Sequence, residues 1–336
     1  MFIGGCNTTA PEVLKPLPTT QTFTDSSGRS VELPLEITRI AASGSMAQMF
    51  LFALCPEYLV GLASPWSQEA EKYIQTKYYK LPVLGQFYGT GTLNMEEVVK
   101  TAPQVIIDVG EAKKSIVEDM DSIMKQVNIP TIHIEATTET TADAYRLLGK
   151  LLNREEKAEK LASYIEKTLQ QVEKVVGNVE KSSVLYLLGN KGLNVLAKTS
   201  FHAEVIDLVS DNAAIIEQPS FKGSGNEVDF EQLMLWDADV LLVAPDSIYA
   251  EIVEDASWQQ LRAVQNHQLY RVPSGPYNWI TNPPSVNIYL GMLWLSELLY
   301  PEDVEYNLQS EVTEYYRLFY GHELTLEEFT ALTSRP

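Results

Sequence analysis

Residues 94–107 read Asn94-Met95-Glu96-Glu97-Val98-Val99-Lys100-Thr101-Ala102-Pro103-Gln104-Val105-Ile106-Ile107. Residues 229–242 read Asp229-Phe230-Glu231-Gln232-Leu233-Met234-Leu235-Trp236-Asp237-Ala238-Asp239-Val240-Leu241-Leu242. The second stretch aligns with the first without a gap, at a constant step of 135 residues (94 to 229). Each begins with a helix-capping residue, Asn94 or Asp229, and has a capping-box partner three positions on, Glu97 or Gln232. Each then enters a run of β-branched residues and leucines, the pattern of a strand buried on both faces. A short helix feeding a buried strand, written twice, predicts two α/β units built to one plan.

Working outward, more of each half corresponds. Arg39-Ile40-Ala41-Ala42-Ser43-Gly44 is a short strand ending in small residues, followed by an apolar helix over Met46–Leu54. Val184-Leu185-Tyr186-Leu187-Leu188-Gly189 opens the second half in the same way, with a later helix over Phe201–Val209. Strands alternating with helices mean parallel sheets. The fold class is therefore α/β, with two similar Rossmann-like lobes. Between them Ala158, Leu161, Ala162, Ile165, Leu169, Val172 and Val176 recur at spacings of three and four, and no Gly or Pro intervenes before Gly177. Asn153 and Glu156 read as the capping box of this single long helix. The expected division is a signal remnant and tether at 1–21, an N-terminal lobe at 22–152, the connecting helix at 153–177, and a C-terminal lobe with closing helices at 178–336.

The chain has 336 residues, 45% of them hydrophobic and 21% charged, which excludes a disordered or fibrous protein. No apolar run reaches the roughly 18 residues that span a bilayer. With 25 Lys and Arg against 45 Asp and Glu the net charge is −20, so the surface repels phosphate backbones and nucleic acid is excluded as a partner. Two cysteines, Cys6 and Cys55, form no disulfide framework. Cys55 ends an apolar helix and reads as a small buried hydrophobe. Ile3-Gly4-Gly5-Cys6 resembles the end of a bacterial lipoprotein signal, with Cys6 the lipidated residue and Asn7-Thr8-Thr9-Ala10-Pro11 a tether. On that reading the protein is extracytoplasmic and meets the membrane only through its lipid anchor.

Further stretches carry a family resemblance. Thr24-Asp25-Ser26-Ser27-Gly28-Arg29-Ser30-Val31-Glu32-Leu33-Pro34 is similar to the opening hairpin of the helical-backbone metal receptors, periplasmic binding proteins with a single linking helix. The twin repeat, the long helix, Val264-Gln265-Asn266-His267-Gln268-Leu269-Tyr270-Arg271-Val272-Pro273 and Gly291-Met292-Leu293-Trp294-Leu295 resemble that family as well. The resemblance runs from about Thr22 to the C-terminus. It implies a monomeric substrate-binding protein, not an enzyme, that serves an ABC importer of ferric siderophores, haem, cobalamin, metal ions or oxyanions. It implies no covalent cofactor. It further implies that one carboxylate on each lobe meets arginines of the permease, and Glu96 and Glu231 hold equivalent positions in the first turns of the repeated helices.

In open parallel sheets ligands lie beyond the carboxyl ends of the strands. That rule selects Ser43, Ser45 and Met46 at a helix start, where free N–H groups and hydroxyls suit a carboxylate, a catecholate oxygen or an oxyanion. It selects Tyr88 on the Gly-rich loop 86–92, Asn190 and Lys191 after the first strand of the second half, His202 at a strand-to-helix junction, and Tyr277 and Trp279 on the loop 274–282. Loop 86–92 lacks the third glycine of a dinucleotide fingerprint. Tyr and Trp offer rigid apolar area with a polar tip, suited to a flat chelate or porphyrin, and a phenolate can ligate ferric iron. Of the four histidines none is paired at metal-ligand spacing, so no metal site is expected and the ligand brings its own chelator. The leading expectation is an iron chelate of the ferric-siderophore type. Haem, cobalamin, and molybdate or tungstate remain open, as does a sensor presenting its ligand to a receptor. A two-lobed chelatase-like enzyme stands behind them, since GxSxG, P-loop and HExxH patterns are absent.

Overall fold

The computed structural model describes residues 19–88, 92–281, 283 and 285–334. Cys6 and most of the tether lie outside the described residues, as do positions 89–91 of the Gly-rich loop and Asn282. Strands β1 (Thr20–Thr24) and β2 (Ser30–Pro34) form the opening antiparallel hairpin. Val31 and Leu33 alternate inward along β2, as a half-buried strand requires. Asp25 closes the turn, accepting from the backbone N–H groups of Ser27 and Arg29 and pairing with the Arg29 guanidinium at 3.0 Å.

The first lobe follows with β3 (Ile40–Ala42), α1 (Ser45–Leu54), α2 (Thr76–Tyr79), α3 (Met95–Thr101), β4 (Val105–Gly110), α4 (Ile116–Val127) and β5 (Thr131–Glu135). Its three strands run parallel in the order β3-β4-β5. The central strand β4 is buried at all its positions, which explains its apolar sequence.

Helices α5 (Thr141–Leu152) and α6 (Glu155–Val176) come next. The 22 residues of α6 run without a break, a length of about 33 Å at 1.5 Å per residue. Its start differs from the sequence reading. Asn153 closes α5 instead, in the left-handed conformation (φ 54°), with its N–H bonded to the carbonyl of Gly149. Asn is among the few residues that tolerate that conformation, and here it ends α5 rather than capping α6. The tight corner also needs Gly149, since a Cβ there would stand 2.4 Å from the Cβ of Ala158. Leu161, Ile165 and Val172 on the inner stripe of α6 are fully buried, each contributing about 1.5–3 kcal/mol. Arg146 grips Glu159 and Glu166 on the outer face, but exposed ion pairs contribute only about 0–1 kcal/mol. The stripe holds the helix.

The second lobe contains β6 (Ser183–Leu188), β7 (Asn194–Val195), α7 (Glu204–Val209), β8 (Asp211–Asn212), β9 (Asn226–Glu227), α8 (Phe230–Trp236), β10 (Val240–Val243), α9 (Tyr249–Glu254), α10 (Arg262–Gln265) and β11 (Leu269–Arg271). Its sheet runs β11-β10-β6-β7-β9, with β8 also on β6. Strands β11, β10, β6 and β8 are parallel, as expected, whereas β7 and β9 are antiparallel additions. The cause is local: Gly189 and Gly192 hold φ values of 80° and 64°, so the chain turns back within five residues. A connection that short permits only an antiparallel return.

The duplication is visible at backbone level. Asn94 and Asp229 each accept the N–H three residues on, at 3.2 and 2.8 Å. Helices α3 and α8 each end on a left-handed non-glycine residue, Ala102 (φ 42°) and Asp237 (φ 38°). An arginine caps each end, Arg39 on the carbonyls of Thr101 and Ala102, and Arg262 on that of Asp237. The chain closes with α11 (Ile288–Leu299), α12 (Leu308–Tyr315), a π-helical turn (Tyr316–Tyr320) and α13 (Leu326–Thr333). These elements return to the first half: Tyr320 packs on Phe52, Phe319 on Tyr145 and Tyr316 on Tyr73.

Candidate functional site

Strand β3 delivers Ser43, and β4 delivers Asp108, to one floor. Ser43 donates its hydroxyl to Asp108 at 2.5 Å, and its backbone N–H to the carbonyl of Ile107. His133, paired with Asp108 in the β4–β5 register, places Nδ1 2.7 Å from the other carboxylate oxygen. The Tyr88 hydroxyl reaches the same carboxylate. A buried carboxylate costs several kcal/mol to desolvate, and this gathering of partners offsets that cost. Behind the floor, Asp25 accepts the backbone N–H of His133. His133 itself is fully buried.

Helix α1 starts beside this floor. Ser45 bonds Ser64 at 2.9 Å, Gln86 reaches the same hydroxyl, and Gln48 clamps the Ser64 backbone through both ends of its amide. Polar groups are thereby fixed around the helix start, whose N–H groups carry a partial positive charge. The opposite wall comes from the second lobe: Thr199, Ser200 and Phe201, then Glu204, Asp207 and Leu208 on α7, with Phe221 and Pro283 at the edge. Asp207 shapes its own corner by accepting from Thr199 N and Asn212 Nδ2 at 2.7 and 2.8 Å, while Thr199 sits at φ 69°.

Between these walls lies a cavity of about 950 Å³, lined mainly by apolar surface with a few convergent polar groups. That is the size and character of a small-molecule pocket rather than of an ion site. Among the described residues no cluster of three His, Cys, Asp or Glu side chains is placed to hold a metal ion. Burial, and next the Asp108 charge, raise the Tyr88 hydroxyl above its ordinary range, so the phenolate is disfavoured there. Burial raises the Glu204 carboxyl, and Glu111, Glu139 and Asp207 push it in the same direction.

Of the residues singled out from sequence, Ser43, Ser45, Met46 and Tyr88 line this cavity. Tyr277 lines a second, smaller one of about 480 Å³, with Ser67 and Glu69 of the first lobe and Gly189, Asn194 and Asp246 of the second. Its hydroxyl accepts the N–H of Ser67 at 3.3 Å, the Ser67 hydroxyl donates to the carbonyl of Pro276, and burial raises its phenol. Tyr277 thus fastens one lobe to the other. Trp279 corrects the sequence reading: it has no exposed surface, because its backbone lies on α11 at Gly291, where a Cβ would meet the Trp279 carbonyl at 2.2 Å. His202 is likewise buried against Thr281 at 2.7 Å, borders only a 40 Å³ void, and has its pKa lowered by that burial. Asn190 and Lys191 are exposed on the turn between β6 and β7 and line neither cavity.

Asp108, Lys113, Glu204 and Asp207 were not singled out from sequence. For Asp108 a signal existed: a charged residue in the buried run Val105-Ile106-Ile107-Asp108-Val109 must have partners. Glu96 and Glu231 are both exposed, on the first turns of α3 and α8. Among the described residues no helix is long and apolar enough to cross a membrane.

A family model described as periplasmic binding protein matches residues 65–276. The Fe(3+)-citrate-binding protein YfmC of Bacillus subtilis is 26% identical over 185 residues, which cover 53% of this chain and 56% of that protein. The chain therefore spans little more than half the length of that curated relative. An ABC transporter solute binding protein from Sulfurospirillum deleyianum is 29% identical, covering 93% of this chain and 98% of that one at a TM-score of 0.84. A periplasmic solute binding protein from Veillonella parvula is 27% identical, covering 93% and 96% at a TM-score of 0.74. Each of these relatives is described as a binding protein, and the matching family as a periplasmic one. With its two α/β lobes and single linking helix, the chain belongs to the periplasmic binding protein family.

Proposed function

We propose that this protein captures an iron chelate in the cavity between Ser43–Met46 and Glu204–Leu208 and delivers it to an ABC permease. The observation that carries the reading is the cavity itself, about 950 Å³ and walled by both lobes at the carboxyl ends of β3 and β4. Its walls offer hydroxyls, backbone N–H groups and aromatic surface but no cage for a bare ion, so the metal arrives already chelated. The iron-citrate-binding relative supports iron as the cargo. Oxyanions such as molybdate fit the carboxylates around the cavity poorly.

Release without chemical change accords with the solute-binding relatives. Helix α6 restrains the lobes, so capture proceeds with small movements rather than wide hinge opening. Glu96 and Glu231, equivalent and outward-facing, dock onto arginines of the permease, one lobe on each half. Exposed Val99 lies beside Glu96, and Met234 and Leu235 lie beside Glu231, adding an apolar rim to each contact. Cys6 carries the lipid that holds the monomer at the outer face of the membrane. Native mass spectrometry and absorbance of protein purified from its own host test the cargo. A bound mass containing iron, with a charge-transfer band in the visible, is expected; a bound oxyanion, or an iron-free metabolite, overturns the reading.

A further inference from the structure

The charges around the cavity are unevenly distributed. Among the described residues lining it, the first lobe contributes Asp108 and Glu111 and the second contributes Glu204 and Asp207, facing each other across the gap. The opposing cations are few. Lys113 is the one cationic side chain among those lining residues, and its ammonium is 5.1 Å from the centre of the Tyr88 ring at the rim. The start of α1 adds the equivalent of about half a positive charge. Four carboxylates outweigh these two contributions even if the internal hydrogen bonds of Asp108 and Asp207 blunt their share. Burial chiefly raises the Glu204 carboxyl, a Thr138 hydrogen bond lowers it, and the charges of Glu111, Glu139 and Asp207 add smaller upward pushes that mark these acids as neighbours. In a partly dry cleft such charges act on a ligand far more strongly than on a water-exposed surface.

We infer that the cavity selects by charge, taking a ferric chelate that is neutral or carries a positive group and rejecting polyanionic carboxylate or catecholate chelates. The inference rests on the iron-chelate reading above and narrows it. The positive end of the ligand lies between Glu111 and Glu204, where the two lobes face each other. The apolar wall made by Met46, Phe201 and Leu208 covers the chelate backbone. A chelate of citrate, by contrast, brings carboxylates to a wall already populated by them.

The test uses one linear ferric trihydroxamate in three forms that differ only at the chain end: a free ammonium, its neutral acetamide, and its anionic succinamate. Ferric citrate and a ferric tris-catecholate complete the set, all titrated calorimetrically into the full chain. The expected order is ammonium form, then acetamide, then succinamate, with the first at least about tenfold tighter than the last and ferric citrate weakest. Glu111→Gln combined with Glu204→Gln should bring the three hydroxamates to within about threefold of one another. Equal binding of the three forms, a reversed order, or tightest binding by citrate or catecholate overturns the charge selection and leaves the iron-chelate reading standing. Binding of none of the five overturns both.

Discussion

The two copies of the repeated unit agree on their outer surface and differ at the ends of their strands. Outside, α3 and α8 share the cap, the left-handed stop, the arginine clamp and the outward glutamate at matched positions. Inside, β4 runs out through Asp108 and Gly110 into the larger cavity, whereas β10 runs out at Ala244–Asp246 into the smaller one. There Arg271 holds the carbonyl of Pro245 and Ser247 holds that of Gly189. The difference fits a protein that meets a permease of two like halves on one face and an asymmetric cargo on the other. On the proposed function, the retained symmetry serves docking and the lost symmetry serves binding.

The largest effect is expected where the symmetry is retained. Glu96→Arg combined with Glu231→Arg should abolish import of the chelate in cells, and each single change should reduce it, with calorimetric affinity unaltered. Full uptake by the double variant would break the comparison. Next comes the contrast between the two tyrosines. Tyr88→Ala should weaken chelate binding at least about tenfold, or 1.4 kcal/mol, because it removes both wall and floor contact. Tyr277→Ala should change affinity less than about twofold while lowering unfolding stability by about 2 kcal/mol. Loss of affinity in the second variant and not the first would move the site to the smaller cavity.

Smaller still are the caps. Asn94→Ala and Asp229→Ala should each cost about 1 kcal/mol in denaturant unfolding, and the double variant should cost their sum because the sites do not touch. The smallest is a pH effect at Glu204. Its carboxyl is raised in the folded state by burial and acidic neighbours, so the unfolded chain ionises first as pH rises through the ordinary value of 4.5, and stability falls. Glu204→Gln should therefore melt higher than the parent at pH 7–8, and the gain should vanish near pH 4. A gain that grows toward acid pH would reverse the assignment.

Much of the fold was legible because it is written in local pattern. The capped repeats and the apolar stripe of α6 need only neighbours in sequence to be recognised, whereas the opening hairpin was read through its family resemblance. The start of α6 was misread because Asn suits both a cap and a left-handed stop, and only the fit of Gly149 on Ala158 decides between them. The site was legible by halves. Ser43, Ser45, Met46 and Tyr88 follow from the rule that ligands lie beyond strand ends. Trp279 and His202 satisfy the same rule yet are buried, because the loop after β11 packs on α11 through Gly291, a contact with no local signature. The carboxylates of the far wall were hidden for a related reason: Glu204 and Asp207 look like ordinary surface acids on α7 until the first lobe is brought opposite them.

The most direct measurement is the anomalous scattering of iron in crystals of the protein loaded with a ferric chelate. The account predicts one iron peak inside the cavity bounded by Ser43, Tyr88 and Phe201, with chelate density reaching toward Glu111 and Glu204. A peak beside Tyr277 and Asp246 would contradict it, as would crystals that take up the chelate only on the outer surface.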